Sequence, residues 1–578
     1  MIKKNIISFY AIIPKINFIF QLFFFLYFTT VYAGSDKISE AKNGMVVSAS
    51  GLASQVGADI LYQGGNAVDA AVAVGFALAV TFPEAGNIGG GGFMVIHLAS
   101  GKNTSIDYRE KAPIKSTKDM YLDKNGNYIS DLSKDGIMSV GVPGSVAGMI
   151  YALEKYGTMK LSQVIQPAIN LAENGFTLDN YTANGIKGNL NSFKKYPSSI
   201  KIFSKNGEAF QKSEIFKQSD LAGTLKEIKE KGRDGFYKGK IAELIAQQAK
   251  AMTGIISLED LEKYQPVERI TINGTYRGYE IISMPPPSSG GIALVQLLNI
   301  LENYNFSNEN WGSSNYIHKI ISAEKFVYAD RSIHLGDPDF YTVPKQWLTS
   351  KNYAKEIFEK INLSNGKAIP SKEISAGKPI TTKESNETTH YSVSDKFGNA
   401  VSVTTTLNSS YGSNVVVEGA GFLLNNEMDD FSAKENTPNQ FGLLGGTANS
   451  IQPEKRMLSS MTPTIVLKDG KTVMVIGSPG GSTIITTVLQ VILNVIDFGM
   501  NIQEAVDTAR FHHQWYPDEI FYEKQLMTSE TKNNLTKMGY TLGKETPLGR
   551  AEGIFIDTKN NVVYGASDVR GNGKAVGH

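Results

Sequence analysis

A threonine hydroxyl is a weak nucleophile, and Thr388 becomes interesting through what a single bond cleavage would give it. If the Glu387–Thr388 bond were cut, Thr388 would carry a free α-amine with an unperturbed pKa of about 7.7–8.0. That amine lies within one residue of its own Oγ and can take the hydroxyl proton directly or through a water. Such a site needs neither a histidine nor a triad carboxylate. It needs a polar segment that can be opened and a rigid strand that holds the new terminus. Both are written around Thr388. Residues 350–387 lose their apolar periodicity and fill with Lys, Ser, Thr, Glu and Asn, which reads as an exposed, mobile stretch. From Thr388 onward, Tyr391–Ser394 and Ala400–Leu407 read as strands joined by an Asp395–Gly398 turn. Taken alone, Thr388-Thr389 would pass as an ordinary β-former.

The elements that must position these residues are legible along the chain. Ala53–Gln63 and Ala67–Val80 read as helices separated by Gly64-Gly65, the second apolar almost all round and ended by Pro83. A glycine-rich turn, Asn87–Gly92, leads into a strand at Phe93–His97. The middle, about residues 115–280, is mostly polar helical sequence, best at Leu161–Asn174 and Leu221–Lys231. A stiff loop, Pro285–Gly291, precedes an apolar helix starting at Ile292. A second hairpin pairs Thr464–Leu467 with Thr472–Ile476 around Asp469-Gly470. The turn Ser478–Gly481, an apolar helix at Thr483–Phe498 and late strands at Gly553–Ile556 and Val562–Tyr564 follow. The helix is too short for a membrane span and contains Gln490, Asn494 and Asp497, so it reads as buried. Strands clustered beside apolar helices predict stacked sheets with helices on the outer faces.

Thr388–Ser392, Gly398–Asn408 and Tyr411-Gly412 together closely resemble the small-subunit start of γ-glutamyltranspeptidases. The likeness continues through Asn425–Phe431, Arg456–Met461, Gly477–Gly481, Arg510–Trp515 and Gly565–Asp568. Upstream it includes Asn87–Gly92 and Asp107–Glu110. The motifs run in order from about residue 40 to the C-terminus. The resemblance implies an α+β chain folded as the αββα four-layer sandwich of N-terminal-nucleophile (Ntn) hydrolases. It implies a precursor that cuts itself before Thr388 into a large subunit, 34–387, and a small subunit, 388–578, which remain together as a heterodimer. This replaces the several domains that length alone would predict.

By the same resemblance Thr388 is the nucleophile, Thr406 positions it, and the Gly480 and Gly481 N–H groups form the oxyanion hole. Glycines there let backbone approach substrate, and they open a helix whose free N–H groups favour negative charge. Asn408, Glu427 and Asp430 match the residues that bind a donor's α-ammonium, and Arg109, Ser459 and Ser460 those that bind its α-carboxylate. A guanidinium suits a carboxylate because it offers two parallel hydrogen bonds. Lys434–Gly442 resembles a lid loop, with Phe441 where many members carry an aromatic gate bearing a hydroxyl. His390 fits a strand position better than a base. His512-His513 fits a structural role better than a metal site. The implied substrates are glutathione and other γ-glutamyl compounds, with water, amino acids or peptides as acceptors and no cofactor. Deacylation of β-lactam side chains, cleavage of poly-γ-glutamate, and an uncut periplasmic receptor are the rival readings.

Composition narrows the rest. There is no Cys in 578 residues, which rules out thiol catalysis and Cys-based metal sites. Lys3, Lys4 and Lys15 precede an apolar run from Phe18 to Val31, and Val31-Tyr32-Ala33 offers small residues for cleavage after Ala33. These features predict a signal peptide at residues 1–33 and a periplasmic or secreted protein, with an uncleaved N-terminal anchor as the alternative. Its removal takes the formal net charge from +1 to −2, so charge gives no reason to expect nucleic acid or anionic membrane as a partner.

Overall fold

The computed structural model describes residues 38–377, 388–434, 440 and 447–578. The predicted signal segment and the Phe441 gate lie outside the described residues.

Two seven-stranded sheets form the centre. One runs, in spatial order, Lys574–Gly577, Gly44–Ser48, Thr389–Asp395, Ala400–Thr406, Gly91–His97, Asn103–Asp107 and Val267–Arg269. The other runs Ser39–Ala41, Val562–Ser567, Glu552–Asp557, Lys471–Gly477, Thr464–Lys468, Tyr279–Ser283 and Ile272–Tyr276. Every pairing in both is antiparallel. Met45, Val47, Phe93, Val95, Ile282, Ile465, Val475 and Ile554 pack into one cluster between the sheets. The helices Gly51–Tyr62, Ala67–Thr81 and Ser145–Tyr156 cover the outer face of the first sheet. Gly290–Leu301, Ser314–His334 and Thr483–Ile496 cover that of the second. Helix, sheet, sheet and helix give the αββα order that the resemblance implies.

The hairpin that begins beside Thr388 shows why its sequence alternates as it does. Successive side chains on a strand point to opposite faces. Tyr391, Val393, Val401 and Val403 join the outer cluster with the Ala67–Thr81 helix. His390, Ser392, Ser402 and Thr404 face the second sheet, where Ser392 Oγ donates to Glu552 O (3.0 Å) and Ser402 Oγ to Ile476 O (3.1 Å). The interior between the sheets is therefore partly polar, and its hydroxyls bond across the gap. Every residue of Ala67–Thr81 is buried, as a helix apolar on all sides requires. Asn66 and Asp69 close its N-terminus in a reciprocal capping box, a device worth about 1 kcal/mol.

Two expectations are corrected. Residues 350–387 are not uniformly irregular, because Lys351–Leu363 is a helix capped by Ser350, whose Oγ accepts from the Tyr353 N–H. Tyr353, Ala354, Ile357 and Ile361 form its buried stripe against the second sheet's helices; the many Lys and Glu on its other face hid that stripe. Leu161–Asn174 is two helices, Leu161–Val164 and Gln166–Asn174. Pro167, without an N–H, opens the second and cannot continue the first.

Candidate active site

Thr389 pairs with Thr405 in the central hairpin, so the same register carried one residue further sets Thr388 across from Thr406. By strand alternation both hydroxyls point between the sheets, and Thr388 is only 3% exposed. Asn87 fastens the far end of this hairpin: its Nδ2 donates to Thr406 O (2.8 Å), and its Oδ1 accepts from Gly90 N (3.0 Å) and Ser145 Oγ (2.6 Å). The Asn87–Gly92 motif thus clamps the strand end that faces Thr388. Thr406 Oγ1 accepts from the Asn408 N–H (2.7 Å).

Arg109 lies at the centre of the charged group. It follows the strand Asn103–Asp107, and its own N–H donates to Asp107 Oδ1 (3.0 Å). Its guanidinium pairs with Glu427 Oε2 (2.6 Å) and with Asp430 Oδ2. It also donates to Met457 O (3.3 Å) and Leu458 O (3.2 Å). The residue expected to hold a carboxylate is therefore bonded to the two acids expected to hold an ammonium, and to the backbone just before Ser459-Ser460. Glu427–Asp430 is one short 3-10 turn. Asn425 holds it in place, accepting from Glu427 N (3.0 Å) while donating to Gly89 O and Gly141 O (both 2.9 Å).

Electrostatics in this cluster are dominated by exclusion of water. Burial pushes the Glu427 carboxyl well above the usual carboxylate range against the pull of Arg109, and neighbouring Glu110 adds repulsion. Burial likewise pushes Glu110 up to about 8, opposed by Arg109. Neither Glu110 carboxyl oxygen has a hydrogen-bond partner among the described residues, although Oε2 lies 3.6 Å from Arg109 Nη1. Asn408, at φ 75°, donates through Nδ2 to Asn426 O (3.0 Å). Its Oδ1 is buried with no hydrogen-bond partner among the described residues.

Ser459 and Ser460 are braced by residues that sequence reasoning missed. Ser289 N donates to Ser459 O (2.6 Å), and Ser459 N donates to Pro287 O (2.8 Å). Arg331 Nη2 donates to Ser460 Oγ (2.9 Å), and Arg331 Nε to Ser289 Oγ (3.0 Å). Asn449 joins the two groups, accepting from Leu458 N (3.0 Å) and donating to Asp430 O (2.7 Å). The Pro285–Gly291 loop was visible as stiff, but nothing local marks Arg331. It sits in the Ser314–His334 helix, where Glu324, Lys325 and Asp330 are buried as well, so hydropathy gives no warning that this helix is internal.

Gly480 and Gly481 adopt φ 123° and 60°, in the region that side chains rarely occupy. A Cβ on Gly480 would sit 2.5 Å from Thr483 Oγ1 and 3.1 Å from Gly549 Cα. The turn opens the Thr483–Ile496 helix, with Thr483 Oγ1 donating to Gly480 O (2.6 Å). It lies beside the strand that follows Thr388: Pro479 and Thr389 line one small cavity. A Cβ on Gly477 would meet the His390 ring at 2.3 Å, so the two sheets touch at this point.

His390 uses both ring nitrogens, Nδ1 with Thr404 Oγ1 (2.9 Å) and Nε2 with Ser392 Oγ (3.0 Å). Burial pushes its pKa down to about 3, leaving a neutral, packed imidazole. His512 engages Thr486 Oγ1 (2.9 Å) and Gln514 Oε1 (3.1 Å), whereas His513 engages Asp518 (3.2 Å) and the Trp515 N–H (3.0 Å). Their rings serve different neighbours. Among the described residues no group of three metal-ligating side chains gathers.

Comparison with known proteins places this geometry. The gamma-glutamyltranspeptidase family model matches residues 53–578. The glutathione hydrolase proenzyme of Escherichia coli K12 is 52% identical over 531 residues, 92% of this chain and 91% of that protein. The γ-glutamyltranspeptidase structure from Helicobacter pylori is 50% identical, with a TM-score of 0.56, over 60% of this chain and 97% of its own. A cephalosporin acylase structure from Bacillus halodurans superposes with a TM-score of 0.85 at 27% identity, over 95% of this chain and 98% of its own. Motifs in order, a sandwich of two sheets between helices and the match across nearly the whole chain lead to one conclusion: this chain is an enzyme of the γ-glutamyltranspeptidase family, with the Ntn-hydrolase fold.

Proposed function

We propose that the chain is exported after removal of residues 1–33 and cuts itself at Glu387–Thr388. The product is a γ-glutamyl transferase and hydrolase built from residues 34–387 and 388–578. Thr388 Oγ attacks the γ-carbonyl of glutathione or another γ-glutamyl amide while the Thr388 α-amine takes its proton. The C–N bond breaks, the leaving amine receives that proton, and a γ-glutamyl ester remains on Thr388. Water or the amine of an amino acid or peptide then takes the acyl group, and the proton returns to Thr388. Gly480 and Gly481 N–H groups stabilise the oxyanion in both steps.

The observation that carries this reading is the Arg109–Glu427–Asp430 cluster beside the Thr388–Thr406 pair. A donor's amino-acid end is a zwitterion, and it can divide this cluster between its two charges. Its carboxylate takes Arg109 with Ser459 and Ser460. Its ammonium takes Asp430, Glu427 and the unpartnered Asn408 Oδ1, which is a carbonyl acceptor suited to an N–H donor. The buried pairs of Arg109 with Glu427 and Asp430 are exchanged for pairs with the donor's own charges, so little uncompensated charge is left in a site where that would cost several kcal/mol, about 3–5 by analogy with broken buried pairs.

The likeness to a cephalosporin acylase favours a second reading, hydrolysis of amides with a glutaryl-type acyl group and no α-amine. The acids around Arg109 argue against it, since such a donor brings no cation to Asp430 or to the Asn408 Oδ1 acceptor. The test is denaturing electrophoresis with N-terminal sequencing of the smaller band, followed by release of p-nitroaniline from γ-glutamyl and glutaryl anilides. Two bands, the smaller starting at Thr388, with preference for the γ-glutamyl anilide are expected. A persistent full-length band would instead support an uncut binding protein, and preference for the glutaryl compound would support the acylase.

A further inference from the structure

The stretch shortly before the proposed cleavage point is fastened at three places, although it has little regular structure. Residues 369–377 contain only the short 3-10 turn Ser371–Glu373. Lys325 Nζ donates to Ile369 O (2.6 Å). Ser371 is held through both of its backbone groups: its N–H donates to Asp518 Oδ2 (2.7 Å), and its carbonyl accepts from Trp515 Nε1 (2.9 Å). Ile374 is buried in the cluster around the second sheet's helices. Gly377 closes the run. Its N–H donates to Asp330 Oδ1 (2.8 Å), and its carbonyl accepts from His334 Nε2 (2.6 Å).

The groups that hold Gly377 are themselves fixed. Asp330 and His334 are both buried on the Ser314–His334 helix. The Asp330 carboxyl also accepts from Gln296 Nε2 (2.5 Å) and from the Tyr353 hydroxyl (2.8 Å), so it cannot swing away. A hydrogen bond from a backbone N–H to a carboxylate is about twice as strong as a neutral one. The space around Gly377 admits nothing larger than hydrogen: a Cβ there would lie 2.3 Å from Tyr353 Oη and 2.6 Å from Trp347 Cη2. Bonds of this kind fix the course of the backbone, whatever the side chains of the stretch do.

Ten residues, 378–387, separate Gly377 from Thr388. We infer that the Gly377 clamp is the fixed end of this tether, and that Asp330 is a positioning residue for self-cleavage at Glu387–Thr388. The inference rests on the self-cleavage reading above. In that reaction Thr388 Oγ adds to the Glu387 carbonyl, the C–N bond breaks, and the amine takes the hydroxyl proton. Water then hydrolyses the Glu387 ester and frees both ends. Thr388 is fixed from its own side by the central hairpin, so the approach of the Glu387 carbonyl depends on where the preceding chain is anchored. The probability that a loop closes falls with about the three-halves power of its length. With the clamp lost, the anchor retreats to Ser371 and the loop grows to sixteen residues, 372–387. Closure alone then becomes about twofold rarer, and the lost direction of approach adds to that.

The test follows pulse-labelled full-length chain on denaturing gels and measures the rate at which two bands appear. Asp330→Asn is expected to slow this by about two- to fivefold, and Tyr353→Phe, which keeps the ring, by less. Once matured, both should turn over a γ-glutamyl anilide with kcat and KM within about twofold of wild type. Unchanged maturation rates, or equal losses in maturation and turnover, would overturn the assignment. Insertions decide the question without touching the clamp. Ten Gly/Ser residues placed after Gly377 double the tether and should slow maturation about threefold. The same ten placed after Asn365, in an exposed turn ahead of all three fastenings, should leave the rate unchanged; equal slowing by both would show that the chain is not anchored between them. A wild-type chain that never yields two bands would instead refute the self-cleavage reading itself, so the two failures are distinct.

Discussion

Arg109 and Glu427 meet at 2.6 Å with both side chains shielded from solvent, although 318 positions separate them in the sequence and the proposed cleavage point lies between. The part of the site before the proposed cleavage point is thus bonded directly to the part after it. Since the N–H of Asn408, a candidate donor-binding residue, donates to Thr406 Oγ1 (2.7 Å), and Thr406 stands across from Thr388, a short path leads from the candidate donor site to the candidate nucleophile.

Replacing Arg109 by Lys keeps the charge but loses the fork that bonds Glu427, Asp430, Met457 O and Leu458 O. Donor KM is expected to rise by about ten- to a hundredfold, with a smaller change in kcat. Steady-state kinetics with a γ-glutamyl anilide measure this, and an unaltered KM would remove Arg109 from donor binding.

Thr388→Ala removes the only hydroxyl assigned to both reactions. A single full-length band on denaturing gels and turnover lowered by about four orders of magnitude or more are expected. A variant that still matures but cannot turn over would show that another group performs the self-cleavage.

Gly480→Ala tests the oxyanion turn. The added methyl meets Thr483 Oγ1 and Gly549 at a φ of 123°, so the turn must shift and its N–H groups lose their aim. A loss of about 10²–10³ in kcat, larger than any change in KM, is expected. Pre-matured enzyme, confirmed as two bands, gives the clean comparison.

Glu110 supplies a pH signature. Its carboxyl is raised from 4.5 to about 8 by burial, so it is mostly neutral at pH 7 and acquires charge beside Arg109 above pH 8. That charge competes with the donor carboxylate. Donor KM is expected to climb several-fold between about pH 7 and 9 in the wild type, and less in Glu110→Gln. The stability sign runs the same way. A raised folded-state pKa stabilises fully below 4.5, and the contribution disappears as pH rises through 8. Thermal melts of the wild type should therefore lose stability across that window, and Glu110→Gln should show a shallower loss; parallel curves would count against the shift.

The sequence by itself determined the hairpin that carries Thr388, the Ala67–Thr81 helix, the glycine turn before Thr483 and the layering of sheets and helices. Each of these is local: strand alternation, an all-round apolar helix and a glycine pair are written within about 15 residues. The ordered motifs added the family and the candidate residues, which no periodicity could have supplied. The helix at Lys351–Leu363 was masked because its apolar stripe is thin and its charges dominate the composition. What only the tertiary structure decided is who neutralises whom. That Arg109 is bonded to both acids, that Arg331 and Ser289 brace Ser459-Ser460, and that Asp518 and Trp515 hold Ser371 all depend on chain segments far apart in sequence. Burial and pairing of charge are properties of the folded environment, and the residue types alone do not contain them.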